Sequence, residues 1–100
     1  LGIDIAAMHE DLIFAAASGI VVQVQRSYYG YGNMLIIDHL NGYQTLYAHL
    51  NSILAELDDF VIQGQPIGLA GSTGYSTGTH LHFEIHYEGR CVNPWHFLTR

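Results

Sequence analysis

Two histidines near the end of the chain, His80 and His82, stand two residues apart in the stretch GYSTGTHLHFEIH. Residues i and i+2 of a β-strand project from the same face, so the two imidazoles would face a common space. Glu84 and His86 continue the same alternation. Imidazole binds metals and accepts protons near neutral pH, but an isolated pair also suits two surface histidines. The spacing therefore predicts a polar strand face and leaves its chemistry open.

The same stretch matches the GxSxG pattern of serine hydrolases at residues 74–78, with Ser76 in the position of the nucleophile. Such a nucleophile elbow requires a strand, a sharp turn at the serine and then a helix. The residues after Gly78 alternate in the manner of a strand instead, and the chain nowhere alternates strands with helices. We therefore interpret residues 71–79 as a Gly/Ser/Thr loop whose hydroxyl groups satisfy nearby backbone atoms.

Two further polar residues interrupt apolar segments far from this stretch. Asp4 lies in LGIDIAA near the start of the chain, and His49 lies in YAHL. A buried aspartate requires hydrogen bonds, an ionic partner or a metal ion, because an unpaired charge is costly to remove from water. The sequence therefore predicts that Asp4 has such a partner.

Composition excludes several classes of function. The chain has 100 residues, of which 49% are hydrophobic, so it suits one domain with a core and is too apolar for a disordered chain. The formal charge is -6 and the only basic residues are three arginines, so we expect no nucleic-acid partner. The absence of lysine excludes a lipoyl or biotinyl carrier domain, which needs an attachment lysine.

The apolar runs and the single cysteine bear on the surroundings of the protein. The runs are short and broken by Gly, Asn or Asp, so we expect no membrane insertion by this segment. Cys91 is the only cysteine and therefore has no partner for an intrachain disulfide. This fits either a reducing compartment or an exported domain without a bridge.

The elements that must position these residues are strands. Most of the chain alternates with a period of two between turn signals and is rich in β-branched and aromatic residues. We predict one all-β domain, mainly an antiparallel sandwich or a partly open barrel. The predicted strands are 2–5, 12–16, 19–26, 33–39, 43–50, 66–70, 80–87 and 91–93.

Three connections have signals of their own. Asn41-Gly42 stands between two strand patterns and predicts a β-hairpin with a type I′ turn, which needs positive φ at both central residues. Residues 51–59 have the only helical spacing and predict a connection with one turn of helix. Near the end, NPWHFL is expected to close the domain by packing Trp95 and Phe97 on the core.

Other histidines and a tyrosine-rich loop have weaker signals. We interpret the histidines other than His49, His80 and His82 as structural or surface residues: His9, His39, His86 and His96. Three tyrosines, interleaved with two glycines, could line a peptide groove or anchor a turn, and both interpretations stay open: Tyr28, Tyr29 and Tyr31.

Six segments, GIDIAA, AAASGIVV, YGNMLIIDH, GYQTLYAHL, VIQGQPIGLAGSTGYSTGTHLHFEI and VNPWHFL, follow one another in this order. On these segments the chain resembles the lysostaphin/LytM-type zinc metallopeptidase family over essentially its whole length. TLYAHL and STGTHLHFEI are the most specific matches. The resemblance implies an all-β fold with an active-site groove lined by loops.

In that family, an HxGxD motif and an HxH motif supply the zinc ligands. Carried over by position, the resemblance implies Zn²⁺ as cofactor, with Asp4 as the carboxylate ligand and His82 as the C-terminal histidine ligand. The third ligand is expected to be a histidine just before Leu1, outside this chain. We therefore expect residues 1–100 to be a single peptidase domain, an N-terminally truncated excerpt of a longer protein.

The resemblance also implies the catalytic residues. His49 and His80 resemble the two histidines that assist attack of a zinc-bound water on a peptide carbonyl, and the sequence does not assign base and oxyanion roles between them. Glu84 is expected to support the site rather than bind the metal. The loop before the HxH motif is assigned to substrate binding: Tyr75, Ser76 and Thr77.

The function implied is an endopeptidase that cuts stem peptides or cross-links of bacterial peptidoglycan. It would act in the periplasm or outside the cell, with peptidoglycan peptides as partners and possible flanking domains in the full-length protein. The alternative is a catalytically inactive domain of the same fold that binds and regulates a cell-wall amidase. Such domains lose several motif residues, whereas Asp4, His49, His80 and His82 are all present.

Overall fold

The computed structural model describes residues 2–94, and all nine regular elements in that range are β-strands. They are β1 (Ile3–Ala6), β2 (Leu12–Phe14), β3 (Gly19–Gln25), β4 (Asn33–Asp38), β5 (Tyr43–Ile53), β6 (Phe60–Val61), β7 (Pro66–Ala70), β8 (His80–Tyr87) and β9 (Arg90–Val92). The all-β prediction is confirmed. The prediction missed the two-residue strand β6 and ended β5 at residue 50, whereas β5 continues to Ile53.

Every strand pairing is antiparallel, and the sheet is open rather than closed into a barrel. The main order is β1-β8-β5-β4-β3-β6, with β7 joining β2 to β5 and β9 pairing with β8. Strand β8 therefore lies between the first strand of the chain and the long β5. This topology brings the segment of Asp4 and the segment of His49 next to the two histidines of β8.

The β4–β5 hairpin is present, but its turn differs from the predicted type I′ turn. Positive φ occurs at Leu40 (63°) and Gly42 (91°) and not at Asn41. The side-chain oxygen of Asn41 instead accepts a hydrogen bond from the backbone nitrogen of Tyr43 at 3.1 Å. A local side-chain hydrogen bond of this kind competes with the two-residue turn, so the loop takes a wider form.

The predicted helical turn in residues 51–59 is wrong. Residues 51–53 extend β5, because Ser52 and Ile53 pair with β7. Residues 54–59 form an irregular turn, in which the backbone nitrogen of Glu56 donates to the Asp59 carboxylate at 2.9 Å. Pairing with a neighbouring strand overrides the weak helical spacing.

The described residues form two clusters of buried apolar side chains, and the larger one includes the fully buried Leu35, Leu50 and Ile67. The apolar positions of β8 are part of it: Leu81, Phe83 and Ile85. This burial fixes which face of β8 points away from the core, as the alternation predicts. Trp95 and Phe97, expected to pack here, lie outside the described residues. Residues 2–94 contain no helix that is long and apolar enough to span a membrane.

His39 belongs to a chain of hydrogen bonds that supports the sheet. Its Nδ1 atom is 2.8 Å from the carbonyl oxygen of Ser18, which can only accept, so Nδ1 carries the proton. In a neutral ring, Nε2 then accepts from the Thr45 hydroxyl at 2.8 Å. Thr45 accepts from the Tyr47 hydroxyl at 2.7 Å, and Tyr47 accepts from the backbone nitrogen of Ala16 at 3.0 Å. His39 therefore has a structural role.

Candidate functional site

Strand register brings three separate segments together at one position of β8. Asp4 is the cross-strand partner of His82 from β1, and Ala48 is its partner from β5. His49 therefore follows directly after the residue that faces His82. His80 lies two residues before His82 on the same face of the strand. The four polar residues named by the motifs thus converge, although they span 78 positions of the sequence.

His82 lies between two carboxylates. Its Nδ1 atom is 2.8 Å from Oδ1 of Asp4, and its Nε2 atom is 2.8 Å from Oε2 of Glu84. Ionised carboxylate oxygens only accept hydrogen bonds, whereas a neutral imidazole carries a single N–H. One of the two ring nitrogens therefore needs a positive charge between it and the carboxylate oxygen. Either a second proton on the ring or a metal ion supplies this charge. This donor set fits a metal ion at the Asp4 side, where nitrogen and oxygen ligands meet.

Asp4 is exposed, with 65% of its side-chain surface open to solvent, so the expected burial is wrong, whereas the predicted partner is present in His82. The hydrogen bond from His82, joined by the positive field of nearby imidazoles, holds the pKa of Asp4 below its usual value. His80 contributes through its Nε2 atom, 3.4 Å from Oδ1 of Asp4. An exposed, ionised carboxylate beside two imidazoles has the chemistry of a metal ligand that solvent can reach.

His49 is held by the backbone in an unusual conformation. Its φ angle is 62°, a left-handed value that costs a non-glycine residue about 1 kcal/mol. Its backbone nitrogen donates to the carbonyl oxygen of Tyr31 at 2.8 Å, and its Nδ1 atom lies 2.7 Å from the carbonyl oxygen of Thr73. Because a carbonyl only accepts, Nδ1 carries the proton and Nε2 is the ring nitrogen with a free lone pair.

Burial lowers the pKa of His49, although the hydrogen bond to Thr73 opposes this effect. The neutral imidazole therefore predominates at neutral pH, as a proton acceptor requires. The ring centroid of His49 is 5.2 Å from that of His80 and 6.0 Å from that of His82. The ring of His49, which has an unprotonated Nε2 atom, thus faces both histidines of β8.

His80 and Ser76 do not form a serine–histidine pair of the hydrolase type. The Nδ1 atom of His80 is 2.9 Å from the carbonyl oxygen of Gly78 and 3.2 Å from Oγ of Ser76. Since the carbonyl requires a donor, Nδ1 is protonated and cannot take a proton from the serine. The Ser76 hydroxyl itself donates to Gly78 at 2.6 Å. Strand β8 begins at His80, so the helix of a nucleophile elbow is also missing from this part of the described chain.

Glu84 is buried beside the exposed site, with 7% of its side-chain surface accessible. Burial alone would raise the pKa of Glu84, but hydrogen bonds from Tyr31, His82 and His86 outweigh this effect and lower it to about 2. The Tyr31 hydroxyl donates to Oε2 at 2.6 Å, and the hydrogen bond raises the pKa of Tyr31 to about 12. Glu84 thus contacts the predicted ligand His82 from the side away from Asp4.

The sequence left Tyr31 open between lining a peptide groove and anchoring a turn, and it assigned no role to Gly2. The ring of Tyr31 stacks on His82, with centroids 5.8 Å apart and planes 24° apart. Tyr31 lies in a tyrosine-rich segment before β4, and no sequence pattern there predicts this contact. A Cβ atom on Gly2 would lie 2.7 Å from Cε1 of His82, so only glycine fits there. The signal for Gly2 was its place in the HxGxD pattern, two residues before Asp4.

A cavity of about 310 Å³ opens beside the histidines and is lined by Gly30, Tyr31, His49, Tyr75 and His82. Its walls are two loops joined by a hydrogen bond, in which the backbone nitrogen of Tyr75 donates to Gly30 at 2.8 Å. Of the three residues assigned to substrate binding, Tyr75 lines this cavity. Ser76 and Thr77 are not among its lining residues.

A close contact between glycines keeps the two loops together. Gly74 has a φ of 72°, and a Cβ atom there would lie 2.4 Å from the backbone of both Gly30 and Gly32. The two loops can meet only because this position lacks a side chain. The groove is therefore formed by backbone contacts as well as by its aromatic walls.

Of the remaining histidines, His9 is exposed and 3.9 Å from Glu10, as expected for a surface residue. His86 is half-buried, and its Nε2 atom donates to Oε1 of Glu84 at 2.7 Å. His86 is therefore connected to the site through Glu84. His96 lies outside the described residues.

The sequence profile described as Peptidase family M23 matches residues 1–94. Among curated proteins, the chain is 45% identical over 97 residues to the murein hydrolase activator NlpD of Escherichia coli strain K12, covering 97% of the chain and 25% of NlpD. It is 46% identical over 93 residues to the DD-carboxypeptidase/endopeptidase Mpg of Neisseria meningitidis serogroup B strain MC58, covering 93% of the chain and 21% of Mpg. The chain thus spans about a quarter of the length of these relatives.

The fold is also that of a solved peptidase domain. The catalytic domain of lysostaphin, an antimicrobial peptidase from Staphylococcus simulans, superposes with a TM-score of 0.89 at 33% identity. The match covers 99% of this chain and 78% of that domain. The open antiparallel sheet is therefore shared over the whole described chain.

Proposed function

The chain belongs to peptidase family M23, and we propose that it is a zinc-dependent endopeptidase that hydrolyses stem peptides or cross-links of bacterial peptidoglycan. One observation carries this proposal: the polar residues of three segments meet at one position of the sheet. Asp4 lies 2.8 Å from His82 and 3.4 Å from His80, while the ring of His49 faces both histidines. A metal ligand set and two further imidazoles are thus available beside a cavity.

Asp4 and His82 would hold the zinc ion, through Oδ1 and Nδ1. The third ligand remains a prediction, a histidine that precedes Leu1. Three nitrogen and oxygen ligands with an open position are typical of catalytic zinc, which lowers the pKa of water and polarises a carbonyl group. The contact between Nε2 of His82 and Glu84 supports this assignment, since it leaves Nδ1 free to face the metal.

The two other histidines receive separate roles. We assign His49 as the base that takes the proton from water, because Thr73 fixes the proton on Nδ1 and burial favours the neutral ring. We assign His80 as the donor to the developing oxyanion or the leaving amine. Its Nδ1 atom is held by Gly78, so its Nε2 atom is directed into the site at the carboxylate of Asp4. Protonated on Nε2 as well, it could donate a hydrogen bond there.

The substrate would lie in the cavity between the two loops. Tyr31 and Tyr75 offer ring faces for peptide groups, and Tyr29 packs edge-to-face on Tyr75 with centroids 6.2 Å apart. No lysine or arginine is among the residues that line the cavity. The cavity therefore suits a peptide segment that is not bound through a negative charge. Peptidoglycan as the source of that peptide is supported by the names of two relatives, a murein hydrolase activator and a DD-carboxypeptidase/endopeptidase. This source would place the protein in the periplasm or outside the cell.

A second function is supported by one observation, the 45% identity to a murein hydrolase activator. In that function the same cavity would bind a cell-wall amidase without hydrolysing peptides. Nearly equal identity to an endopeptidase means that overall similarity does not discriminate between the two. We favour the enzyme because all four motif residues are present and lie next to one another in the structure: Asp4, His49, His80 and His82.

The test combines zinc content with digestion of peptidoglycan by the full-length protein. The enzyme is expected to hold about one zinc ion per domain at the ligand set above and to release new amino groups from purified peptidoglycan. A zinc-loaded protein that releases none, but stimulates a purified cell-wall amidase, would support the activator instead. His49→Ala serves as the control, because it should retain zinc and lose hydrolysis.

A further inference from the structure

A second group of metal-ligating side chains lies on the hairpin formed by β8 and β9. Glu84, His86 and Cys91 each offer one ligand atom, and these atoms all lie within 4.8 Å of one another. We call these three residues the hairpin cluster. It uses the only cysteine of the chain, which the proposed peptidase mechanism does not require.

The backbone places the three side chains together. His86 and Cys91 are direct cross-strand partners in the β8–β9 pairing. Glu84 lies two residues before His86 and therefore projects from the same face of β8. Cross-strand partners on one face have Cβ atoms about 5 Å apart, which suits ligands of one small ion. The arrangement thus follows from strand register and not from a flexible loop.

The two carboxylate oxygens of Glu84 face different neighbours. Oε2 accepts hydrogen bonds from Tyr31 at 2.6 Å and from His82 at 2.8 Å. Oε1 lies 2.7 Å from Nε2 of His86 and 4.0 Å from Sγ of Cys91. Oε1, which faces His86 and Cys91, is therefore not the oxygen that contacts the predicted zinc ligand His82.

We propose that the hairpin cluster binds one divalent ion of borderline softness, such as Zn²⁺ or Co²⁺, separately from the centre at Asp4 and His82. Sulfur, nitrogen and carboxylate ligands together select this class over Mg²⁺ and Ca²⁺, which prefer oxygen ligands. Bonds of about 2.3 Å to sulfur and about 2.0 Å to nitrogen or oxygen place tetrahedral donors roughly 3.3 to 3.5 Å apart. The Oε1–Nε2 spacing of 2.7 Å and the Oε1–Sγ spacing of 4.0 Å lie on either side of that range, and all ligand atoms of the cluster lie within 4.8 Å of one another, so small side-chain movements suffice.

Cobalt provides the test, because a thiolate bound to Co²⁺ gives a charge-transfer band in the near ultraviolet that nitrogen and oxygen ligands do not give. The metal-free, reduced full-length protein is titrated with Co²⁺ alone. The band is expected to grow until one equivalent per domain has bound at the cluster. Cys91→Ser should abolish the band, and His86→Ala should weaken the binding that produces it at least tenfold.

Two controls separate this site from the proposed peptidase centre. His82→Ala should lose the zinc ligand of that centre and keep the cobalt–thiolate band. In the unsubstituted protein, Co²⁺ or Zn²⁺ should slow alkylation of Cys91 by iodoacetamide at least tenfold, which tests the site without relying on a variant that folds. A titration with no charge-transfer band, or alkylation at an unchanged rate, would mean that the cluster is a hydrogen-bonded group only.

Discussion

The Nε2 atom of His82 lies 2.8 Å from Oε2 of Glu84, on the side of the ring opposite Asp4. This contact decides which nitrogen of His82 faces the proposed metal. A carboxylate that accepts from Nε2–H leaves the lone pair on Nδ1. Because Glu84 is buried and also held by Tyr31, the imidazole ring has one orientation before any metal binds.

Replacing Glu84 with glutamine should therefore weaken zinc binding at Asp4 and His82 by about tenfold to a hundredfold, the effect of losing a carboxylate that orients a ligand. Affinity is measured by competition with a chelator in a Cys91→Ser background, so that the hairpin cluster is not counted. The exposed Glu88→Gln is the matched control and should leave the affinity unchanged. Unchanged affinity in Glu84→Gln would contradict the orienting role.

Gly2→Ala should also weaken zinc binding, because the added Cβ would lie 2.7 Å from Cε1 of His82 and 2.7 Å from the Phe83 carbonyl oxygen. The ring or the strand must move, and Asp4 is only two residues away. Gly78→Ala is the control, since a Cβ there meets no atom within 4 Å. The measurement is zinc affinity together with thermal unfolding. Equal zinc affinities in the two variants would show that the close approach at Gly2 is not needed for the metal site.

His49→Ala should reduce turnover of peptidoglycan peptides about a hundredfold to ten-thousandfold, the usual contribution of a general base. It should retain zinc, because the ligands at Asp4 and His82 are untouched. Both properties are measured on the same preparation in a Cys91→Ser background, with His82→Ala losing the zinc of this centre and turnover together. The exposed His9→Ala should behave like the parent protein. Loss of zinc in His49→Ala would assign this residue to the ligands.

Tyr75→Ala should raise the KM for a peptidoglycan peptide several-fold with a smaller effect on kcat. The residue is 75% exposed and lines the cavity, so loss of its ring removes contact area for substrate without opening the core. The free energy of unfolding of the variant should therefore stay within about 0.5 kcal/mol of that of the parent protein. Tyr28→Ala, whose residue is 90% exposed and does not line this cavity, is the control. A larger effect of Tyr28→Ala would place the substrate elsewhere.

The protein should lose stability above pH 10 partly because of Tyr47. Burial raises the pKa of Tyr47, although hydrogen bonds with Thr45 and Ala16 oppose this effect. The unfolded chain releases the phenol proton from about pH 10, whereas the folded protein retains it to a higher pH. Stability from this group is thus fully present below pH 10 and falls as the pH rises further.

The measurement is the free energy of unfolding between pH 8 and 11 for the parent and Tyr47→Phe. The variant should be about 1 to 3 kcal/mol less stable at pH 8, because the buried Thr45 hydroxyl and the Ala16 N–H both lose a hydrogen-bond partner. Its stability should fall less steeply above pH 10. Tyr31, with a pKa raised to about 12, contributes equally to both proteins and cancels in the comparison. Parallel curves would exclude Tyr47 as a source of the alkaline loss.

Local patterns predicted the elements and the polar face. Period-two alternation identified the strands, because a strand with one buried face must alternate. The same rule placed His80 and His82 on one side of β8. It did not predict the wide loop at Asn41 or the continuation of β5 to Ile53, because a side-chain hydrogen bond and pairing with β7 decide those features.

The sequence by itself determined the residue types of the site, the strand face that carries them and the family resemblance. Only the tertiary structure decided their partners. The antiparallel register of β1 and β8 puts Asp4 opposite His82, and that of β8 and β9 puts Cys91 opposite His86. Asp4 and His82 are far apart in the sequence, and Cys91 belongs to no recognised motif. No local pattern therefore relates the residues of either pair. Their contacts depend on how strands pair, and pairing is set by the packing of the core on the other face.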